Sequence, residues 1–148
     1  MIAIGADHGG YKLKEKIKKY FIEKNIEYID LGTYSEERTD YPIYAEKVAK
    51  AIINKEADKG ILICRSSYGM TMVANKFKGI RAASVTNEKL AEAAKADDDI
   101  NVIALSGDTM DFEECKIIID RWLNTEFKGG RYKKRLDMLE KIEEENMK

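Results

Sequence analysis

Asp7-His8-Gly9-Gly10 places a carboxylate beside the chain's only imidazole, with two glycines and the start of a helix just behind. Such a turn can hold a polar or anionic group through its side chains and the free N–H groups of the helix. It can equally be a helix cap followed by a surface histidine. Cys64 ends the most apolar run of the chain, Gly60 to Cys64, just before Arg65-Ser66-Ser67-Tyr68-Gly69 leads into a helix. A thiol at a helix N-terminus is biased toward the thiolate, whereas a buried cysteine without such neighbours is a small inert hydrophobe. Cys115 lies in the apolar stripe of a helix and is assigned to the core. Arg131 and Arg135 are four apart, so both guanidinium groups fall on one helical face and can clamp a phosphate. The start of a helix disfavours cations, so the four in Arg131-Tyr132-Lys133-Lys134-Arg135 imply an anion nearby, unless the segment is only a solvated basic turn. Asp97-Asp98-Asp99, taken alone, reads as a solvated loop.

These residues sit on alternating strand and helix patterns. Apolar runs at Ile2 to Ala6, Glu27 to Leu31, Gly60 to Cys64, Ile80 to Val85 and Asn101 to Leu105 read as five strands. Leu13, Ile17, Tyr20 and Phe21 mark a first amphipathic helix, and Tyr44, Val48, Ala51 and Ile52 a second, with Pro42 in its first turn. Met70 to Lys76 is a short helix and Glu88 to Ala96 a longer one. Cys115, Ile118, Ile119, Trp122 and Leu123 mark the next helix. Leu136, Leu139 and Ile142 mark a last helix, over about 132–146, whose acidic end is expected to fray. Strands interleaved with helices need crossover connections, which predicts an α/β fold: a single-domain, Rossmann-like three-layer αβα sandwich with a five-stranded parallel sheet and a C-terminal helix. Ligands in such folds bind outside the carboxyl ends of the strands. The segments to search are therefore 7–10, 32–41, 65–70, 86–87 and 106–109.

Composition removes other classes. The chain has 148 residues, which suits one domain. Its 26 Lys and Arg nearly cancel its 27 Asp and Glu, which disfavours a nucleic-acid binder. One His and two separated Cys supply no clustered zinc ligands, so no metal site is expected. No apolar run approaches a membrane span and the N-terminus lacks a basic leader, so a soluble cytoplasmic protein with reduced thiols is expected. The first loop lacks the third glycine of a dinucleotide fingerprint, and no phosphate loop ends in Lys-Ser or Lys-Thr.

Ala3 to Gly10, Arg38-Thr39-Asp40-Tyr41-Pro42, Ile61 to Cys64 with Ala74-Asn75-Lys76, Gly79 to Ala83 and Gly129-Gly130-Arg131 occur together in one order and spacing. From Met1 to about Asp137 the chain resembles the sugar-phosphate isomerases comprising ribose-5-phosphate isomerase B and the galactose-6-phosphate isomerase subunits. The resemblance implies an aldose–ketose isomerase that works through an enediolate, without metal or organic cofactor, with ribose 5-phosphate and ribulose 5-phosphate as the default pair. It makes Cys64 the base, since the glutamate that other members use falls at Met70. Ser66 takes the place of a hydroxyl near the enediolate. Asp7 and Tyr41 match sugar-contacting positions, and His8, Arg131 and Arg135 match phosphate-binding ones. The resemblance also implies a homodimer or tetramer, each site completed by the neighbouring subunit, with the C-terminal helix packed on the partner.

The departures fall in the ligand site. The family's Gly-Thr/Ser-Gly-x-Gly anion-hole loop is here Arg65-Ser66-Ser67-Tyr68-Gly69, so two glycines have gained side chains; at a positive φ that costs energy. The family's His-Asn-Asp, with its ring-opening histidine and a ligand-binding asparagine, becomes Asp97-Asp98-Asp99. Asp97 is the candidate replacement for the histidine, on condition that burial raises its pKa, and Asp98 takes the asparagine's place on the substrate. A phosphate-binding arginine from across the interface is replaced by Asp108, which Arg65 or Lys133 would have to neutralise. Another pentose or hexose phosphate as substrate, or a non-catalytic partner subunit of a hetero-oligomer, are the alternatives these changes raise.

Overall fold

The computed structural model describes residues 1–147. In chain order its elements are β1 (Ile2–Ala6), α1 (Tyr11–Glu23), β2 (Tyr28–Asp30), α2 (Tyr41–Ile53), β3 (Lys59–Cys64), α3 (Tyr68–Ala74), β4 (Ala82–Ser84), α4 (Glu88–Asp98), β5 (Val102–Ser106), α5 (Phe112–Leu123) and α6 (Arg131–Asn146). The strands form one wholly parallel sheet in the order β2-β1-β3-β5-β4. β1, β3 and β5 are covered on both faces, which is why their sequences run apolar without alternation. Leu13, Ile17 and Phe21 of α1 and Cys115, Ile118, Ile119 and Trp122 of α5 pack on one face, with Ala91 of α4 beside them. Tyr44, Ala45, Val48 and Ala49 of α2 and Met70 and Ala74 of α3 pack on the other. Cys115 is buried in the first layer, as its spacing predicts, and burial pushes its thiol up to about 12.

Several boundaries differ from the sequence reading, each for a local reason. α3 starts at Tyr68, two residues before Met70, because Ser67 turns into the left-handed region and its carbonyl accepts the first helical bond, from Thr71 N–H. α4 absorbs Asp97 and Asp98, which the sequence alone leaves in a loop. It stops at Asp99, whose own left-handed backbone (φ 45°, ψ 47°) is tolerated by an aspartate and held by Arg81 Nε donating to its carbonyl at 2.9 Å. α6 does not fray after Ile142 but continues to Asn146. Glu143 Oε2 accepts from Gly79 N–H at 2.9 Å and ties its last turns to the loop before β4. α6 buries none of its residues, and Met138, Leu139 and Ile142 are exposed along it.

Lys14 is a buried cation within α1. Its ammonium donates to both carboxylate oxygens of Asp30, at 2.8 and 2.7 Å, and to Glu15 Oε2 at 3.0 Å. Asp30 Oδ1 also accepts from Gly32 N–H at 2.9 Å, so the pair anchors the start of the loop that runs on to Thr39. Removing one partner of a buried ion pair strands the other. Lys18 remains 2.7 Å from Asp30, which partly limits the damage. Lys14→Met is expected to cost about 3 kcal/mol of unfolding free energy in denaturant titrations, near the low end for a broken buried pair.

Candidate active site

β1 and β3 are neighbours, but the chain leaves β1 toward the β2 edge and leaves β3 toward the β4 edge, so a crevice opens between their carboxyl ends. Asp7 follows β1 and Cys64 ends β3. Asp7 N–H donates to Ile63 O at 3.1 Å, and a Cβ on Gly10 would lie only 2.4 Å from that same carbonyl oxygen, which explains the glycine there. Asp7 Oδ1 accepts from the N–H groups of Gly9 and Gly10, at 2.9 and 3.2 Å. His8 Nδ1 lies 3.1 Å from Thr39 O and 3.2 Å from Thr39 N, so the loop before α2 engages one ring nitrogen in either tautomer and leaves Nε2 to a ligand. Beside it is a cavity of about 350 Å³ lined by His8, Gly9, Lys12, Lys16 and Gly107, among others.

The second wall is the turn after β3. Cys64 is buried, and Ser67 N–H donates to its Sγ at 3.2 Å. Gly69 and Met70, in the first turn of α3, have N–H groups without a helical carbonyl partner. A Cβ on Gly69 would fall 2.5 Å from the ring of Tyr41, so the glycine lets Tyr41 lie against this turn. Ser66 and Tyr68 are exposed on the rim, and Ser66 Oγ accepts from Tyr68 N–H at 3.4 Å. Asp108 sits on this same edge, its N–H on Arg65 O at 3.2 Å. Arg65 Nε donates to Asp108 Oδ2 at 3.0 Å, so Arg65 compensates it, while Lys133 pairs with Asp137.

Burial raises the Asp7 carboxyl above its ordinary value of 3.8, with the His8 charge and the Gly9 and Gly10 N–H groups opposing. The folded chain then holds this proton to higher pH than the unfolded chain, so the stability associated with it falls as pH rises through the folded value. Once the carboxylate is ionised, its burial is a net cost. Asp7→Asn keeps an acceptor at Oδ1 and removes the charge. The variant is expected to melt above the wild type at pH 7, with the gap closing as pH drops below 4, and to lose turnover. Melting curves across that range and one activity assay check both parts.

Asp97, Asp98, Arg131 and Arg135 are not brought to this crevice. They lie at the opposite end of the sheet, beside the amino ends of the strands, because α4 runs its 11 residues back from the carboxyl ends before β5 begins, roughly 16 Å of helix. Lys128 N–H donates to Ala96 O at 2.9 Å and so brings the segment before α6 to the same place. Lys128 Nζ is 3.0 Å from Asp97 Oδ1, near enough for an ion pair but not aligned as a hydrogen bond. Arg131 and Arg135 do not stand apart as an open clamp. With Lys128 they surround the ring of Tyr132 at 5.1, 5.6 and 5.1 Å, and Arg131 Nη2 donates to its hydroxyl at 3.1 Å. That hydrogen bond is the main reason the Tyr132 phenol lies below its ordinary value. The result is a three-cation patch around one aromatic face, open to solvent.

Thr39, Lys128 and Tyr132 carry roles that the sequence reading did not assign. A basic run containing one tyrosine could have signalled the last two. Thr39 could be found only through the fold, since His8 meets it across 31 residues. Among the described residues no group of three His, Cys, Asp or Glu is placed to hold a metal ion, and no helix is long and apolar enough to cross a membrane.

A family model described as Ribose/Galactose Isomerase matches residues 2–139. Ribose-5-phosphate isomerase B of Escherichia coli (strain K12) is 42% identical over 143 residues, spanning 97% of this chain and 96% of that protein. Among solved structures, ribose-5-phosphate isomerase B of Clostridium thermocellum superimposes with a TM-score of 0.95 at 40% identity, over 97% of both chains. The Mycoplasma genitalium enzyme, solved with bound ribulose-5-phosphate, gives a TM-score of 0.92 at 39% identity, over 98% of this chain and 97% of that one.

Proposed function

The chain belongs to the ribose/galactose isomerase family, and from that premise we propose that it interconverts ribose 5-phosphate and ribulose 5-phosphate with Cys64 as the base. The observation that carries this assignment is the Ser67 N–H donated to Cys64 Sγ, which holds the sulfur in the crevice at the strand ends. The thiolate removes the C2 proton of the open-chain aldose. The electron pair moves through the C1–C2 bond to the carbonyl oxygen and gives an enediolate. Cys64 returns the proton to C1 while the O2 proton passes to O1, a transfer assisted by the Ser66 hydroxyl, whose own proton is not used by its bond from Tyr68 N–H. The unpaired N–H groups of Gly69 and Met70 stabilise the oxyanion, and Asp7 and Tyr41 hold the sugar.

One copy supplies only half of this site. A second copy related by a twofold axis brings its Asp97, Asp98, Arg131 and Arg135 to the crevice, and the self-complementarity of such a pair completes two sites at once. The phosphate then lies between His8 and the Arg131–Arg135 patch. Asp97, paired with Lys128, stands where the ring must open. The exposed Leu139 and Ile142 of α6 gain cover on the partner. To test the substrate assignment, purified protein is given ribose 5-phosphate and, separately, galactose 6-phosphate. Conversion of the pentose phosphate is expected to dominate; turnover of the hexose phosphate alone would reject the assignment.

A further inference from the structure

Ser67 is strained yet buried. Its backbone is left-handed (φ 78°, ψ −23°), a region that glycine enters freely and serine only at a cost. Its hydroxyl does not turn toward the crevice. Ser67 Oγ donates to Ser84 Oγ at 2.9 Å, and Ser84 lies at the end of β4. Thr71 Oγ1 donates to Ser67 O at 3.0 Å. With its single proton spent there, Thr71 must accept in its 2.9 Å contact with Ser84 Oγ. The three hydroxyls therefore form a ring in one direction: Ser67 to Ser84, Ser84 to Thr71, and Thr71 back to the Ser67 carbonyl. Every proton is used once, and each bond polarises the next.

We propose that Ser84 and Thr71 are positioning residues for the isomerisation, which clamp Ser67 in its left-handed turn and so aim its N–H at Cys64 Sγ. This rests on the reading of Cys64 as base. The hydroxyl of Ser67 thus takes no part in binding substrate; the residue contributes its N–H, and its side chain serves to hold that N–H in place. A glycine at position 67 needs no such clamp, because it occupies the same φ without strain. The ring is what allows a side chain at a turn whose geometry favours glycine.

The test is a double-mutant cycle on turnover of ribose 5-phosphate. Ser84→Ala removes the middle of the ring and is expected to lower kcat about tenfold, near the cost of leaving buried hydroxyls unpaired, with KM held within about twofold. Thr71→Val, which keeps the shape of the side chain, should do the same. In a Ser67→Gly background, Ser84→Ala should cost nothing further, since there is no strained turn left to clamp. A Ser84→Ala variant with wild-type kcat would overturn the proposal. So would a loss of the same size in the Ser67→Gly background, because it would show Ser84 acting by another route. Wild-type protein without turnover, or turnover insensitive to Cys64→Ala, would instead overturn the reading of Cys64 as base.

Discussion

Cys64→Ala is expected to lower kcat on ribose 5-phosphate by about 1,000-fold, within the range for loss of a positioned base, and to leave KM within about threefold. The split follows from where the thiol sits. Cys64 ends β3 inside the sheet, with its backbone fixed by the ladder to β5, so removing Sγ releases one N–H of the turn, that of Ser67, and leaves the groups that hold the sugar in place. Asp7, Tyr41 and His8 are positioned by other strands and loops and keep their bonds. Cys64 also belongs to the core layer beneath α2 and α3, so a modest drop in melting temperature accompanies the loss of its sulfur. Cys64→Ser is the sharper variant. It keeps a hydrogen-bonding atom in reach of Ser67 N–H, but a hydroxyl is far less acidic than a thiol, and its kcat should fall nearly as far. A serine variant with substantial turnover would mean that proton removal belongs to another group.

The second large effect concerns subunit sharing. Arg131→Ala with Arg135→Ala removes two of the three cations around Tyr132, and the double variant is expected to raise KM for ribose 5-phosphate about 100-fold, as loss of charge-assisted phosphate contacts does. These residues lie at the far end of the sheet from Cys64. The damaged binding and the damaged chemistry of the two variants therefore reside at opposite ends of the strands. When the inactive Cys64→Ala protein is mixed and refolded with the arginine double variant, half the dimers are hybrids. Each hybrid pairs an intact Cys64 end with an intact Arg131–Arg135 end once. Activity at low substrate should return to about one quarter of the wild-type level, as expected for a twofold pair with two shared sites. Mixtures that stay inactive would place the whole site within one chain.

Much of this arrangement is legible in the sequence. The apolar runs without alternation already identify a parallel sheet covered on both faces, and Asp7-His8 and Cys64 fall at strand ends where such folds bind ligands. What the sequence does not show is the separation between the two groups of candidate residues. Asp97 and Asp98 look like a loop because three adjacent carboxylates suit solvent; their place in the last turn of α4, at the far end of the sheet, is decided by how many turns precede β5. Arg131 and Arg135 are correctly paired by their spacing, but helical periodicity is blind to Tyr132, which lies between them and collects their charges. The cation that compensates Asp108 is open between Arg65 and Lys133 in the sequence; the fold selects Arg65, through two loops 43 residues apart. The ring of Ser67, Ser84 and Thr71 joins a turn, a strand end and a helix, which no local pattern can reveal.

The most direct test of the account is the isomerisation of ribose 5-phosphate in D2O, followed by proton NMR. Proton transfer through a thiol that exchanges with solvent should place deuterium at C1 of the ribulose 5-phosphate formed, and Cys64→Ala should lose both the exchange and the conversion. Exchange or conversion that persists without Cys64 would contradict the assignment of Cys64 as the group that moves the proton.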